Sequence, residues 1–94
     1  MTMKTTKFDA ADYLDSPQMI AGYLNEALAT GDTALVTKAI GTIARAKGMT
    51  AMAKETGMAR EHLYTALSET GHPEFATVMK ALNAIGIQLE AKAA

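Results

Sequence analysis

Hydrophobic positions along the chain fall into short stripes, each closed by its own stop signal. The first is Ile20, Leu24, Ala27 and Leu28, spaced i, i+4, i+7, i+8 as on one face of a helix. Ser16 stands before it as a side-chain N-cap, and Pro17 suits the first helical position. Gly31 stops this helix, and Asp32 is placed to cap the next. The second stripe is Val36, Ala39, Ile40, Ile43 and Ala44, with Gly48 at its end. Thr50 is the expected cap of a short third helix that carries Met52 and Ala53 and closes at Gly57. The following segment is expected to be helical to about Ser68, with Gly71 ending it. Pro73 then opens a stripe of Phe75, Val78, Met79, Leu82 and Ile85, terminated by Gly86. In the tail, Ile87, Gln88, Leu89, Glu90 and Ala91 alternate apolar and polar. That pattern predicts a short C-terminal strand, whose pairing would come from the N-terminal segment, a second subunit or a partner protein.

Five helices joined by short connections, most with a narrow apolar stripe, predict an all-α fold in which each helix packs on several others. The 94 residues fit one domain. Residues 1–14 read as an N-terminal arm, 50–68 as the central two-helix segment and 87–94 as a tail. Composition agrees. Apolar residues make up 49% of the chain but aromatics only 5%, because Ala and Met, both good helix formers, supply much of the apolar content. The absence of cysteine excludes disulfides and thiolate metal sites. The opening "MTMKTTKFDAADYLDSP" lacks the apolar stretch of a secretory signal, and no run approaches the roughly 18 apolar residues of a membrane span. A cytoplasmic location is expected.

The net charge of −1 argues against indiscriminate nucleic-acid binding, but its distribution is uneven. Residues 1–32 set Lys4 and Lys7 against Asp9, Asp12, Asp15, Glu26 and Asp32. Residues 33–67 carry Lys38, Arg45, Lys47, Lys54 and Arg60 against only Glu55 and Glu61. A basic centre of this kind can sit on phosphates while the acidic N-terminal segment faces elsewhere. Ordinary surface scatter is the competing reading.

The basic centre coincides with a demanding spacing. Two short helices around a glycine turn are the signature of a helix-turn-helix. Ala53 comes four residues before Gly57, where two crossing helices leave little room. Gly57 lies at the turn, Met58 follows as an apolar plug, and Leu63 comes six residues after the glycine, pointing back at the first helix. At 100° per residue, Ala59, Leu63, Ala66 and Leu67 share the inward face. Glu61, Tyr64, Thr65 and Ser68 lie opposite, with Arg60 on the shoulder. In such a motif the outer face of the second helix enters the major groove. Arg60 can pair bidentately with guanine, Glu61 can accept from cytosine N4, and Tyr64 and Thr65 can meet a thymine methyl or a phosphate. With Thr50 and Ser68 these are the candidate DNA-contacting residues. The same positions also fit the solvated side of an amphipathic helix.

The stretches "ARAKGM", "AKETG", "REHLYTALSETGHPEF" and "LNAIGI" together resemble the lambda-repressor-like helix-turn-helix domains, and more closely the addiction-module antidote family, the HigA-like antitoxins. "FDAADYLDSPQMIAGYLNEAL" is similar to that family's N-terminal region and "ALVTKAIGTIARAKGM" to its next helix, so the likeness spans about residues 8–89. The resemblance implies a regulator encoded beside a RelE/HigB-like toxin, a ribosome-dependent mRNA-cleaving nuclease. Such a regulator neutralises the toxin and represses its own operon by binding double-stranded operator DNA. One position departs from the pattern: Ala59 stands where family members generally carry the Ser or Thr that caps the reading helix.

Other functions have less support in the residues. An enzyme would have to use His62 or His72, the only histidines, and consecutive helical residues such as Glu61 and His62 fan apart rather than converge. Two histidines without clustered carboxylates make no metal site, and no cofactor is implied. Two readings stay open beside the main one. The first is a protein-interaction antidote with vestigial DNA binding, docking through the acidic N-terminal helix with Tyr13 and Tyr23. The second is a phage-type repressor with no toxin partner. A regulator with one such motif usually acts as a homodimer, and the candidate surfaces are the final helix, Phe75–Ile85, and the tail.

Overall fold

Ser16 and Asp32 cap the first two helices, as their side chains dictate. In the computed structural model, which describes residues 10–94, Ser16 Oγ accepts from the Met19 amide at 3.1 Å and opens α1 (Pro17–Thr30). Asp32 Oδ1 accepts from the Ala34 and Leu35 amides and opens α2 (Thr33–Lys47). Each cap satisfies amides that the helix itself leaves without partners. Three further helices follow: α3 (Met49–Thr56), α4 (Arg60–Ala66) and α5 (Phe75–Ile85). A 3₁₀ turn, Ala10–Tyr13, precedes them, and there is no strand among the described residues. The first nine residues of the expected N-terminal arm lie outside the described part. Its last residue, Leu14, is buried in the core beside α2.

The core is built around α2. Ala39, Ile40, Ile43 and Ala44 are buried on it, and they meet Leu24 of α1, Met49 and Met52 of α3, Leu63 of α4 and Ala81 and Leu82 of α5. The five largest fully buried side chains (Ile40, Ile43, Met52, Leu63 and Leu82) come from four different helices, α2 to α5, so none of these four could be removed without opening a cavity. Helix α1 packs chiefly on α2, whereas α5 packs on both α2 and α3.

Several local expectations are corrected. Thr50 does not cap α3. The helix begins two residues earlier than that cap would place it, at Met49, which is buried. Gly48 takes the cap position with no side-chain bond, and Thr50 falls in the first turn. Helix α4 ends at Ala66 rather than near Ser68. Gly71 serves a close approach instead of a helix stop, since a Cβ there would collide with the carbonyls of Ala66 and Thr65. Helix α5 runs Phe75–Ile85 as expected, with Pro73 two residues ahead of it. The alternating tail forms no strand. The Ile87 amide donates to the Leu82 carbonyl at 2.9 Å and the Gly86 amide to those of Leu82 and Asn83, so the chain leaves α5 through a helix-ending turn. Ile87 then packs half-buried against the core, while Leu89 is exposed.

Candidate nucleic-acid interface

Helices α3 and α4 are joined by Gly57, Met58 and Ala59. Gly57 has φ +73°, a left-handed conformation that carries little penalty only without a Cβ, and its amide donates to the Ala53 carbonyl at 2.9 Å. The Thr56 hydroxyl donates to the Met52 carbonyl at 2.7 Å and accepts from the Met58 amide at 3.3 Å, which stitches the turn to the end of α3. Met58 and Ala53 pack half-buried at the turn. Leu63 is fully buried and Leu67 nearly so, and between them they fix the inward face of α4. Ala66 is half-buried on the same side. Ala59 is exposed, because it lies before the first helical turn rather than on its inner face. As the sequence predicts for an alanine there, α4 has no side-chain N-cap bond.

The outward residues gather as the helical projection requires. Arg60, Glu61, Tyr64 and Thr65 are all exposed on α4. Thr50 reaches the same surface from α3. Its Oγ1 accepts from Nη1 of Arg60 at 3.4 Å, a bond between the two helices of the segment. The Thr65 hydroxyl donates to the Glu61 carbonyl at 3.1 Å. Ser68 is half-buried at the C-terminal end of the helix. Its hydroxyl donates to the Thr65 carbonyl at 2.9 Å and so helps to finish the helix. His62 is exposed and His72 lies in the loop after α4; among the described residues no cluster of three or more His, Asp and Glu could hold a metal.

Two basic residues beside this face entered the sequence reading only as part of the basic centre, not as candidate DNA contacts. Lys38 and Arg45 of α2 border a groove of about 280 Å³ whose other wall includes Tyr64 and Ser68. They lie ahead of the two-helix segment, and only the positive excess of residues 33–67 pointed toward them. The groove exists because α2 approaches the end of α4 closely at Gly41, where a Cβ would meet the Leu67 carbonyl.

Comparison with known proteins adds three facts. A family model described as "probable addiction module antidote protein" matches residues 4–93. A protein of Haemophilus influenzae, named only "uncharacterized protein", is 46% identical over 90 residues, covering 96% of this chain and 93% of that protein. No solved structure matches the chain.

Proposed function

The chain belongs to the family of probable addiction module antidote proteins, and from that premise we propose that it is the antitoxin of a toxin–antitoxin operon, binding its own operator through α3 and α4. In this reading α3–α4 is a helix-turn-helix. Its second helix lies in the major groove, and the bound protein represses its own promoter while neutralising a RelE/HigB-like toxin. The observation that supports DNA reading is the single exposed face formed by Arg60, Glu61, Tyr64 and Thr65, with Thr50 tied to Arg60 from the neighbouring helix. Arg60 reads guanine, Glu61 disfavours a phosphate and accepts from cytosine, and Tyr64 and Thr65 supply apolar and hydroxyl contacts. The protein acts as a homodimer. Helix α5 buries Ala81 and Leu82 inward and leaves Phe75 and Met79 on its solvent side for the second copy.

The test is duplex binding across a salt series, comparing the protein's own upstream region with a scrambled duplex. Salt-sensitive, sequence-preferring binding to two half-sites about 34–36 Å apart is expected. Arg60→Ala should weaken specific binding by about 1–3 kcal/mol and relax the sequence preference. A wild-type protein that binds both duplexes equally would sink the DNA reading. A second reading is favoured by the missing side-chain cap on α4: an antidote that works by protein contact alone, with DNA binding vestigial. It predicts a tight complex with the neighbouring gene's product, unaffected by Arg60→Ala, and no operator preference.

A further inference from the structure

Arg60 is the first residue of α4, at the helix end where the backbone dipole already carries partial positive charge. Its side chain is exposed, and the hydrogen-bond partner of its guanidinium among the described residues is the Thr50 hydroxyl, 3.4 Å from Nη1. No carboxylate takes that place. Glu55 of α3 pairs with Lys47 at 3.5 Å, and Glu61 points about 100° round α4 from Arg60. Other helical threonines use their hydroxyls differently. Thr42, Thr56 and Thr65 each donate to the carbonyl four residues back in their own helix, at 3.1, 2.7 and 3.1 Å. Thr50 lies in the first turn of α3, with no carbonyl of its own helix four residues back. Its hydroxyl accepts from the neighbouring helix instead. A helical threonine has few χ1 rotamers, so the acceptor is the stiffer member of the pair.

We propose that Thr50 is a positioning residue: it orders the Arg60 side chain before DNA arrives and sets which edge of the guanidinium faces a guanine, instead of touching DNA itself. The inference rests on the DNA-binding reading above. Arginine is rich in rotamers, and ordering it only on binding lowers affinity. The bond to Thr50 takes a donor on Nη1, which leaves the edge formed by Nε and Nη2 for the N7 and O6 of guanine. The same bond ties the first residue of α4, a helix without a side-chain cap, to the first turn of α3. The two helices thus present the guanidinium from one braced place.

Two measurements on the full chain test this, one without DNA and one with it. In the free protein, NMR relaxation of the Arg60 Nε–Hε group should report an ordered side chain in the wild type and in Thr50→Ser, which keeps the acceptor. It should report a mobile one in Thr50→Val. Equal mobility in the wild type and Thr50→Val overturns the proposal whatever DNA does. Fluorescence anisotropy then compares the protein's own upstream duplex with a scrambled one. Thr50→Val should lower the preference between them by roughly two- to ten-fold, the ordering cost of one side chain, and Thr50→Ser should restore it. In an Arg60→Ala background, Thr50→Val should cost nothing further. A loss of equal size on both duplexes, kept in the Arg60→Ala background, makes Thr50 a direct backbone contact; the positioning role is then wrong and the DNA reading stands. A wild type that prefers neither duplex overturns the DNA reading, and the role of Thr50 falls with it. Thermal melts confirm that each variant is folded.

Discussion

Ala59 is the residue on which α4 depends and to which it contributes least. It holds the N-cap position with extended backbone, φ −66° and ψ 144°, yet offers no acceptor to the amides beyond it. Ala59→Ser should supply one. The expected gain is about 0.5–2 kcal/mol, read as a higher midpoint in chemical denaturation; an unchanged midpoint would mean that solvent already satisfies those amides. This position was legible from the sequence, as were Ser16 and Asp32, because a cap is a local event between a side chain and the next few amides. Thr50 was misread for a physical reason. Burial of Met49 starts α3 two residues earlier, and tertiary packing outranks a hydroxyl's preference. The bond from Arg60 to Thr50 spans ten positions and two helices, and no periodicity announces it.

Between elements, one contact is unusually close: Gly41 of α2 lies against Leu67, the residue that follows α4. Gly41 lies mid-helix, where glycine ordinarily destabilises by roughly 0.5–1 kcal/mol relative to alanine. Here its missing Cβ lets α2 reach the Leu67 carbonyl. Gly41→Ala should therefore destabilise despite the better helix propensity, by about 1–3 kcal/mol, because the obstacle is backbone rather than a flexible side chain. It should also widen the groove between Lys38 and Tyr64. A variant as stable as wild type, measured by urea unfolding, would show that α4 can shift freely. Helices α1, α2 and α5 were legible as helices because their stripes run over three or four turns, although Leu28, Phe75 and Met79 of those stripes stay exposed. Helix α4 was legible in its faces but not in its end, which is set by Ser68 and by the packing of Gly71 on the last turn. The tail was misread because strand-like alternation over five residues cannot distinguish a paired strand from a segment that buries one side chain, Ile87, and exposes the rest. Lys38 and Arg45 were legible only as part of a basic centre, because α2 read as a packing helix and the groove on its outer side exists only once the end of α4 lies beside it.

At the scale of the whole molecule, the proposed DNA interface and the proposed dimer surface lie on different helices, α3 and α4 for the one and α5 for the other. Phe75 is 71% exposed and Met79 41%, the one at the start of α5 and the other a turn later. A homodimer through this face should be lost in the double variant Phe75→Glu and Met79→Glu. Analytical ultracentrifugation should then show a monomer with an unchanged melting profile. Wild-type protein that sediments as a monomer at tens of micromolar would remove the assembly from the model of action. The arrangement of the core also bears on how the chain is made. Helices α1, α2, α3 and α4 pack largely on their immediate neighbours in sequence, and α5 supplies the long-range closure by returning to α2 and α3. Loops between sequence neighbours are short, and their closure entropy is small. Such a topology belongs to the fast end of folding, in the microsecond-to-millisecond range. As the nascent chain emerges, most contacts can form in order of synthesis, and the core closes only when the last helix arrives.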